Sequence, residues 1–349
     1  MRLSTRVPTS GPFHRCVGRL VEMERRGLDV AWMPEAYGLD AATRLGYLAA
    51  STTTVQLGSG IFNIYSRTPT LLAQTAATLD DVSGGRAILG LGSSGPQVIE
   101  GWHGLEFARP LARTREVVDI CRRVWDGASL NHDGSDLVHD GEIFQIPRAV
   151  AGHGRTSKAL RMHADLARRR IPVYLASLGP KNVELAAEIA EGWLSILYIP
   201  ELADQIWGKS LAGGRARRCA EIGDLEIVAG GAVAIGDDVE HLRERLRPSL
   251  TMLVGGFGSK ESNFYNDVVA SYGFEAEAKE VQDLYLSGRR REAEAAVPAK
   301  LLEATSLIGP EGYVRDRVDA YRDSGVTMLD VIPVGPDPAR TIGLLKEWA

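Results

Sequence analysis

Apolar positions along this chain follow two patterns, short continuous runs and residues spaced three to four apart. The continuous runs have the length and composition of buried parallel strands, and they occupy residues 29–35, 55–61, 86–92, 171–177, 193–199, 226–235 and 326–334. The helical spacing occupies residues 17–28, 40–51, 70–79, 181–192, 201–212, 238–246, 310–323 and 337–348. The pattern therefore predicts strands and helices that alternate along the chain.

This alternation continues through the chain without a clear break at the midpoint. If the more polar segment LSTRV (3–7) is counted as a first strand, there are about eight strand–helix units. Parallel strands with crossover helices explain such a repeat, and its continuity favours one barrel over two doubly wound domains. We therefore predict an α/β fold, a (β/α)8 TIM barrel that forms a single domain over residues 1–349.

Two stretches do not fit the repeat, at about 127–170 and about 255–305. Long insertions in a barrel usually follow strands, on the C-terminal face where substrates bind. We expect these two to form lids or a dimer surface on that face. The first carries a basic cluster from Arg155 to Arg170, which either steers an anionic ligand or is an ordinary solvated helix face.

Composition narrows the classes of function. The 349 residues are 44% hydrophobic and 24% charged with a net charge of −5, which argues against nucleic acid or an anionic membrane as a partner. No apolar run is long enough to span a bilayer. The three separated cysteines spell neither a disulfide framework nor a metal motif. Because the N-terminal residues do not resemble a secretory signal, we expect a cytoplasmic protein, and we expect no metal site.

The segment Gly90-Leu91-Gly92-Ser93-Ser94-Gly95 matches the G-x-G-x-x-G pattern of dinucleotide-binding turns. A dinucleotide site also requires an acidic residue at the end of a second strand about 20 residues later. Here residues 107–118 run through a proline into an arginine-rich helix, and two strand–helix units already precede the motif. The glycines instead indicate either close approach of a ligand to a strand end or a tight strand–helix junction without a ligand.

Two other predicted strand ends are also rich in glycine. One is GSGIFNIYSRTP (58–69), which carries the polar residues Asn63 and Tyr65, and the other is LASLGPKNVELA (175–186), with Ser177 just before a helix. A helix N-terminus suits a phosphate, because its free N–H groups and its dipole both favour an anion. All three strand ends would converge on one face of a barrel, where we predict a ligand site.

Seven segments together resemble one known family: WMPEAYG, LGSGIFNIYSRTP, SGGRAILGLGSSGPQVIEGWHG, RPLARTRE, PVYLASLGPKNVELAAEIAEGW, NFYND and QDLYLSGRR. They resemble the luciferase-like monooxygenase superfamily, and most of all its branch of coenzyme F420-dependent oxidoreductases, relatives of methylene-tetrahydromethanopterin reductase. The resemblance covers the chain from about residue 17. It implies a (β/α)8 barrel with insertions, usually dimeric, that holds a flavin or deazaflavin across the C-terminal ends of its strands.

The candidate cofactor contacts are Glu35, Gly60, Ile61, Asn63, Gly92, Ser93, Ala176, Ser177, Leu178 and Gly179. By resemblance, Glu35 matches an acidic residue near the cofactor ring, and Gly60-Ile61 matches a non-prolyl cis peptide that backs the ring in many F420 relatives. Gly92 and Ser93 match backbone that lines the cofactor, and the last four residues match the loop that holds its phosphate. Asn63 is included for its polar side chain at a strand end.

The chain departs from the family pattern at several positions. Ala36 stands where many F420 enzymes have histidine, Gly95-Pro96 stands where the family has glycine-glutamate, and Ile99 replaces a common asparagine. The first strand of the family is apolar, whereas LSTRV is polar. These departures leave the cofactor cradle in place but leave the proton donor and the substrate open.

The favoured function is hydride transfer between C5 of F420 and a small organic substrate. Reduction of an activated C=C or C=N bond and oxidation of an alcohol both fit. By residue type and predicted place, the catalytic candidates are Glu35, Tyr65 and His103, with Tyr37 as a further proton donor. Each has a structural alternative, which is an ion pair for Glu35, rim packing for the tyrosines and hydrogen-bonded packing for His103.

Two rival functions use the same fold. One is an FMN-dependent monooxygenase fed by a separate reductase, because the cradle residues hardly separate FMN from F420. The other is a barrel that binds a flavin or another ligand without turnover. For an enzyme we expect a small-molecule substrate and a homodimer.

Overall fold

Eight parallel strands close into a barrel in the computed structural model, which describes residues 1–130, 134–150, 155–258 and 263–349. The barrel strands are β1 Arg2–Arg6, β2 Val30–Met33, β3 Gln56–Ser59, β4 Ala87–Gly92, β5 Val173–Ala176, β6 Gly192–Leu194, β7 Glu226–Ile235 and β8 Met328–Pro333. Neighbours run in the order β5-β6-β7-β8-β1-β2-β3-β4, and β4 pairs with β5 to complete the ring. The predicted TIM barrel is confirmed.

A helix follows each barrel strand and covers the outside of the barrel. These helices are α1 Phe13–Arg25, α2 Ala41–Ser51, α3 Pro69–Ser83, α4 Pro110–Asp126, α5 Pro180–Ile189, α6 Lys209–Arg215, α7 Glu311–Asp323 and α8 Pro338–Trp348. Two of these helices have caps of the usual residue types: Asp40 accepts from the Thr43 N–H at 2.7 Å at the start of α2, and Gly84 ends α3 with a φ of 68°. The apolar runs and the helical spacing therefore placed most elements correctly.

The polar first strand is a true barrel strand. β1 pairs in parallel with β8 through Ser4↔Asp330 and with β2 through Ser4↔Val30. Its polar side chains have partners inside the fold, because the Ser4 hydroxyl donates to Asp330 Oδ1 at 3.0 Å and the Thr5 hydroxyl donates to the Val331 carbonyl at 2.6 Å. A buried polar side chain is tolerated when it is hydrogen-bonded.

Glycines in β3 and β4 allow close packing low in the barrel. A Cβ added to Gly58 would lie 2.3 Å from the Trp32 ring, and one added to Gly90 would lie 1.8 Å from the Ser59 carbonyl oxygen. Both positions therefore exclude any side chain. The first glycine of the G-x-G-x-x-G segment is structural.

The placement of the first insertion requires a correction. Residues 127–170 follow helix α4, not a strand, and they lead into β5. Within them, His139–Asp140 pairs with Gln145–Ile146 and Ala149–Val150 pairs with Arg155–Thr156. The first of these hairpins packs on α4 through Glu116, whose carboxylate accepts from the Phe144 N–H at 2.9 Å. Residues 131–133 and 151–154 lie outside the described part.

The second insertion follows β7, and residues 259–262 within it lie outside the described part. Its helices and those leading into it are Glu240–Leu246 (3-10), Arg247–Gly256, Phe264–Val269, Ala270–Phe274 (π), Glu275–Leu286, Arg290–Ala296 and Ala299–Ala304. The sequence analysis missed the strand Ser306–Gly309 that comes next, which pairs with residues 232–235 of β7. At four residues it is too short to separate from the helix that follows.

The remaining elements are short. A two-residue strand Phe62–Asn63 extends the pairing of β4, and Pro96–Ile99 is a one-turn helix. The helix predicted at 201–212 is a 3-10 turn Pro200–Leu202 and a π turn Asp204–Gly208 ahead of α6. A further 3-10 turn, Ala220–Ile222, precedes β7. In the described ranges, none of the helices is both long enough and apolar enough to cross a bilayer.

Candidate active site

The C-terminal ends of β3, β4 and β5 meet at one side of the barrel mouth. A Cβ added to Gly92 would lie 3.0 Å and 3.3 Å from Cδ1 and Cγ1 of Ile61 and 3.5 Å from Cβ of Ala176. Three residues that the sequence analysis placed near a cofactor are therefore in contact. We call Gly60, Ile61, Gly92 and Ala176 the glycine wall.

The Gly60–Ile61 peptide bond is cis, as the resemblance implied. The Gly60 N–H donates to the Met33 carbonyl at 2.9 Å, which ties this turn to the end of β2. A Cβ on Gly60 would lie 2.9 Å from Cβ of Trp32. The backbone of this wall therefore carries only the side chains of Ile61 and Ala176.

The loop from Ala176 to Gly179 joins the glycine wall to the N-terminus of α5. Two indole N–H groups hold its carbonyls, from Trp193 to Ser177 at 2.9 Å and from Trp207 to Leu178 at 3.4 Å. Among the described residues the buried Ser177 Oγ has no hydrogen-bond partner, and Gly179 caps α5 with no side-chain bond. A phosphate would satisfy both the hydroxyl and the free helix N–H groups.

Glu35 lies at the end of β2 and is held in an ion-pair clamp. Its carboxylate pairs with both Nη groups of Arg67 and accepts from the Ala41 N–H at 2.8 Å. Arg67 also donates to Asp40 at 2.6 Å. Burial disfavours the charged guanidinium, but the two carboxylates outweigh this and raise the pKa of Arg67. The sequence gave no signal for Arg67, whereas an ion pair for Glu35 was among the expected alternatives.

Asn63 and His103 lie side by side near the end of β4. The side-chain oxygen of Asn63, Oδ1, accepts from the N–H groups of Tyr65 at 3.0 Å and Ser66 at 2.7 Å, which fixes the orientation of the side-chain amide. Its Nδ2 atom is 3.4 Å from His103 Nε2. The structure therefore joins a predicted cofactor residue to a predicted catalytic one.

Tyr65 is buried and its polar group is engaged. The hydroxyl donates to the Ala108 carbonyl at 3.0 Å, while the Phe107 ring and the Arg113 guanidinium contact the aromatic ring. Burial raises the pKa of Tyr65 above its usual value. These contacts favour its structural alternative. By contrast, Tyr37 is 55% exposed, and Ser93 Oγ makes a local contact with the Ser94 carbonyl at 3.3 Å.

A charged pair that the sequence analysis missed lies on another part of the mouth. Arg6 at the end of β1 donates through Nε to Asp330 Oδ2 at 2.9 Å, and Ser4 donates to the other carboxylate oxygen. We call Ser4, Arg6 and Asp330 the charged wall. Two sequence signals pointed to it, the polar first strand and the single acidic residue in the apolar run 326–334.

The second insertion lies beside the phosphate loop and close enough to Arg6 to respond to its charge. Phe264 lies 3.9 Å from the Cβ position of Gly179. Burial raises the pKa of the adjacent Tyr265, and the charge of Arg6 partly offsets that rise, so Tyr265 is within electrostatic reach of the charged wall. The Asn263 side chain caps the helix that carries both rings.

Comparisons with known proteins concern the family and the fold of this chain. The family model of luciferase-like monooxygenases matches residues 1–328. The chain is 39% identical, over 92% of its length and 91% of the relative, to a Mycobacterium tuberculosis protein provisionally named a coenzyme F420-dependent oxidoreductase. It is 26% identical to the 5,10-methylenetetrahydromethanopterin reductase of Archaeoglobus fulgidus, over 93% of this chain and 91% of the relative. The solved coenzyme F420-dependent tetrahydromethanopterin reductase of Methanopyrus kandleri superimposes with a TM-score of 0.79 at 23% identity, covering 100% of this chain and 98% of that one.

Proposed function

The chain belongs to the luciferase-like monooxygenase family, and on that premise we propose that it is a coenzyme F420-dependent oxidoreductase. It transfers a hydride between C5 of the deazaflavin and a small organic substrate. The observation that carries the proposal is the pair of adjoining features on one side of the mouth. These are the glycine wall and, at the start of α5, the Ser177 hydroxyl, for which the described part of the chain offers no hydrogen-bond partner. The names of its relatives support the choice of F420.

The residues of this side of the mouth fit F420. When bound, the reduced cofactor supplies a hydride at C5. The glycine wall offers a surface of backbone and one aliphatic side chain on which a flat ring packs. Ser177 and the N-terminus of α5 would bind the phosphate. The work of the chain is then to fix the distance and orientation of the reactants.

His103 is the proton-transfer residue that the contacts favour. Among the predicted catalytic residues, Glu35 is committed to Arg67 and Tyr65 to a backbone carbonyl. When the Asn63 amide donates to His103 Nε2, the ring proton resides on Nδ1. His103 thereby holds its exchangeable proton in a defined place, as general acid–base catalysis requires.

The second insertion forms the lid of this site. One short helix carries Phe264, which lies beside the phosphate loop, and Tyr265, whose pKa responds to the charge of Arg6. Closing them over the mouth would exclude water and strengthen electrostatic contacts with the substrate. The substrate is a molecule with an activated C=C or C=N bond, or an alcohol in the reverse direction. The enzyme works in the cytoplasm as a homodimer. Light scattering on the purified protein would check that it is a dimer.

The test is a pair of fluorescence titrations of the purified protein, one with F420 and one with FMN. We expect F420 to bind at least about tenfold more tightly, which corresponds to about 1.4 kcal/mol. Preference for FMN would contradict the proposal and favour the two-component monooxygenase. Tight F420 binding without steady-state turnover of unsaturated, imine or alcohol substrates would favour a binding protein.

A further inference from the structure

We infer that Arg6 is a specificity-determining residue that selects a substrate carrying a carboxylate. The inference rests on the proposed function, because it assigns the cofactor to the glycine wall and the substrate to the space in front of it. It also gives a role to the polar first strand, which the cofactor cradle does not use.

Arg6 is oriented by a buried carboxylate. Asp330 is 5% exposed and receives the Arg6 Nε–H at 2.9 Å on one oxygen and the Ser4 hydroxyl at 3.0 Å on the other. This arrangement leaves both Nη groups of Arg6 uncommitted, since within the described part of the chain no group accepts from them. A guanidinium fixed through Nε presents a planar fork that matches a carboxylate in two parallel hydrogen bonds.

Strand order places this fork across the mouth from the cofactor wall. β1 and β5 are four strands apart in either direction around the eight-stranded ring, so they lie on opposite sides. Arg6 ends β1, whereas Ala176 ends β5 and continues into the phosphate loop. A ligand that stacks over a ring on the glycine wall would therefore face Arg6.

The depth of the charged wall also suits a ligand enclosed by the lid. Ser4 is fully buried and Arg6 is about one-third exposed, so the pair begins inside the barrel and ends at its opening. Tyr265 of the second insertion lies close enough for its ionisation to respond to the Arg6 charge. Lid closure would remove water from the fork and strengthen its pairing with an anion.

The test measures binding to the F420-loaded enzyme by calorimetry, using matched acid and amide probes. The pairs are acrylate and acrylamide, crotonate and crotonamide, and trans-cinnamate and cinnamamide. We expect at least one acid to bind about tenfold or more tightly than its amide, since a charge-assisted bidentate pair is the stronger contact. In R6Q this preference should disappear while amide affinity stays within about twofold of wild type.

Three further variants make the result decisive. R6Q leaves a buried unpaired carboxylate that can destabilise the fold, so R6Q/D330N removes both charges together. R6K keeps the charge without the fork and should retain only part of the preference. R15Q changes an exposed arginine on α1 and should behave as wild type.

Three outcomes would overturn the inference: no acid preference in the wild type for any pair, preference retained in R6Q/D330N, or R6Q weakening F420 itself. The last would assign Arg6 to the anionic tail of the cofactor. F420 affinity is read separately by fluorescence. If the wild type fails to bind F420, the proposed function fails, and the acid–amide comparison on the cofactor-free protein still decides the role of Arg6.

Discussion

At the mouth of the barrel, Gly60 and Ile61 follow β3, Gly92 ends β4 and Ala176 ends β5. On the other side, β1 and β8 carry a paired arginine and aspartate. The glycine wall is mainly backbone, buried at Gly92 and half-buried at Gly60 and Ala176. Beside it lies the Ser177 hydroxyl, which has no hydrogen-bond partner among the described residues. The charged wall is built from side chains, and each oxygen of its carboxylate already has a protein donor. The glycine wall therefore has few side chains, whereas the charged wall consists of polar and charged side chains.

From this difference we infer that the glycine wall holds a ligand of constant shape and the charged wall one that varies. Backbone cannot be changed by substitution without changing the fold, so a wall of backbone suits a cofactor of fixed shape. A side-chain wall can be altered one residue at a time, which suits substrate selection. Substitutions on and outside the two walls test this division into a cofactor side and a substrate side.

The largest effect is expected from G92V. The new side chain would occupy the space between Ile61 and Ala176, where the added Cβ alone already lies 3.0 Å from Ile61. We expect F420 to bind about a hundredfold more weakly or worse, equivalent to about 2.7 kcal/mol, in a fluorescence titration. G312V, at an exposed helix position where a Cβ meets nothing, is the control. If G92V folds and its F420 affinity is unchanged, the deazaflavin ring does not pack on the glycine wall.

E35Q tests the residue that lies between the two walls. Glu35 and Arg67 are 10% and 14% exposed, so loss of the charge leaves a largely buried guanidinium with a weaker partner. We expect the free energy of unfolding to fall by about 2 kcal/mol in urea denaturation. The pH profile of kcat should keep its shape. Loss of one limb of that profile would identify Glu35 as the proton donor, and E22Q, at an exposed position on α1, is the matched control.

S177A separates binding from stability within the phosphate loop. We expect about tenfold weaker F420 binding, near 1.4 kcal/mol, because one hydrogen bond to a charged phosphate is lost. The melting temperature should not fall, since the buried hydroxyl has no hydrogen-bond partner to lose within the described ranges. A phosphate-free deazaflavin riboside should bind both proteins equally. A lower melting temperature with unchanged F420 affinity would mean that the hydroxyl serves the fold.

The smallest effect is expected outside both walls, from E116Q on α4. Burial disfavours the Glu116 carboxylate, but bonds from His139 and the Phe144 and Ile143 N–H groups outweigh it and lower its pKa below the ordinary value of a glutamate. A lowered folded-state pKa stabilises the protein above the unfolded value and ceases to do so as pH falls through the folded value. E116Q should therefore cost under about 1 kcal/mol at pH 7, and the difference from wild type should shrink in acid. A change of more than about twofold in F420 affinity would indicate that the first insertion contributes to the cofactor site.

The barrel and the glycine wall could be predicted because their signals are local. Strand β7 was placed at residues 226–235 from its apolar run alone, and Gly60, Gly92 and Ser177 lie within short motifs. Each half of the charged wall has a local signal, the polar first strand and the acidic residue in the run 326–334, but nothing in the sequence pairs them. Arg6 and Asp330 are 324 positions apart, and only closure of β1 against β8 brings them together. The Glu35–Arg67 pair was hidden for a similar reason, since nothing in the sequence distinguishes Arg67 from a solvated arginine.

The first insertion shows a different limit. Its polar composition was visible at residues 127–170, but the end of the barrel from which it starts depends on where α4 lies. Counting strands along the sequence does not show whether the first insertion follows a strand or a helix. The four-residue strand Ser306–Gly309 escaped because it merges with the start of the next helix pattern.

The most direct measurement is the structure of the protein with F420 bound. We predict that the deazaflavin ring lies in van der Waals contact with Ile61 and Gly92, and that the phosphate lies within hydrogen-bond distance of Ser177 Oγ. Arg6 should face the open side of the ring. A ring packed against Arg6 and Asp330, or a phosphate held away from the N-terminus of α5, would contradict the division of the mouth into a cofactor side and a substrate side.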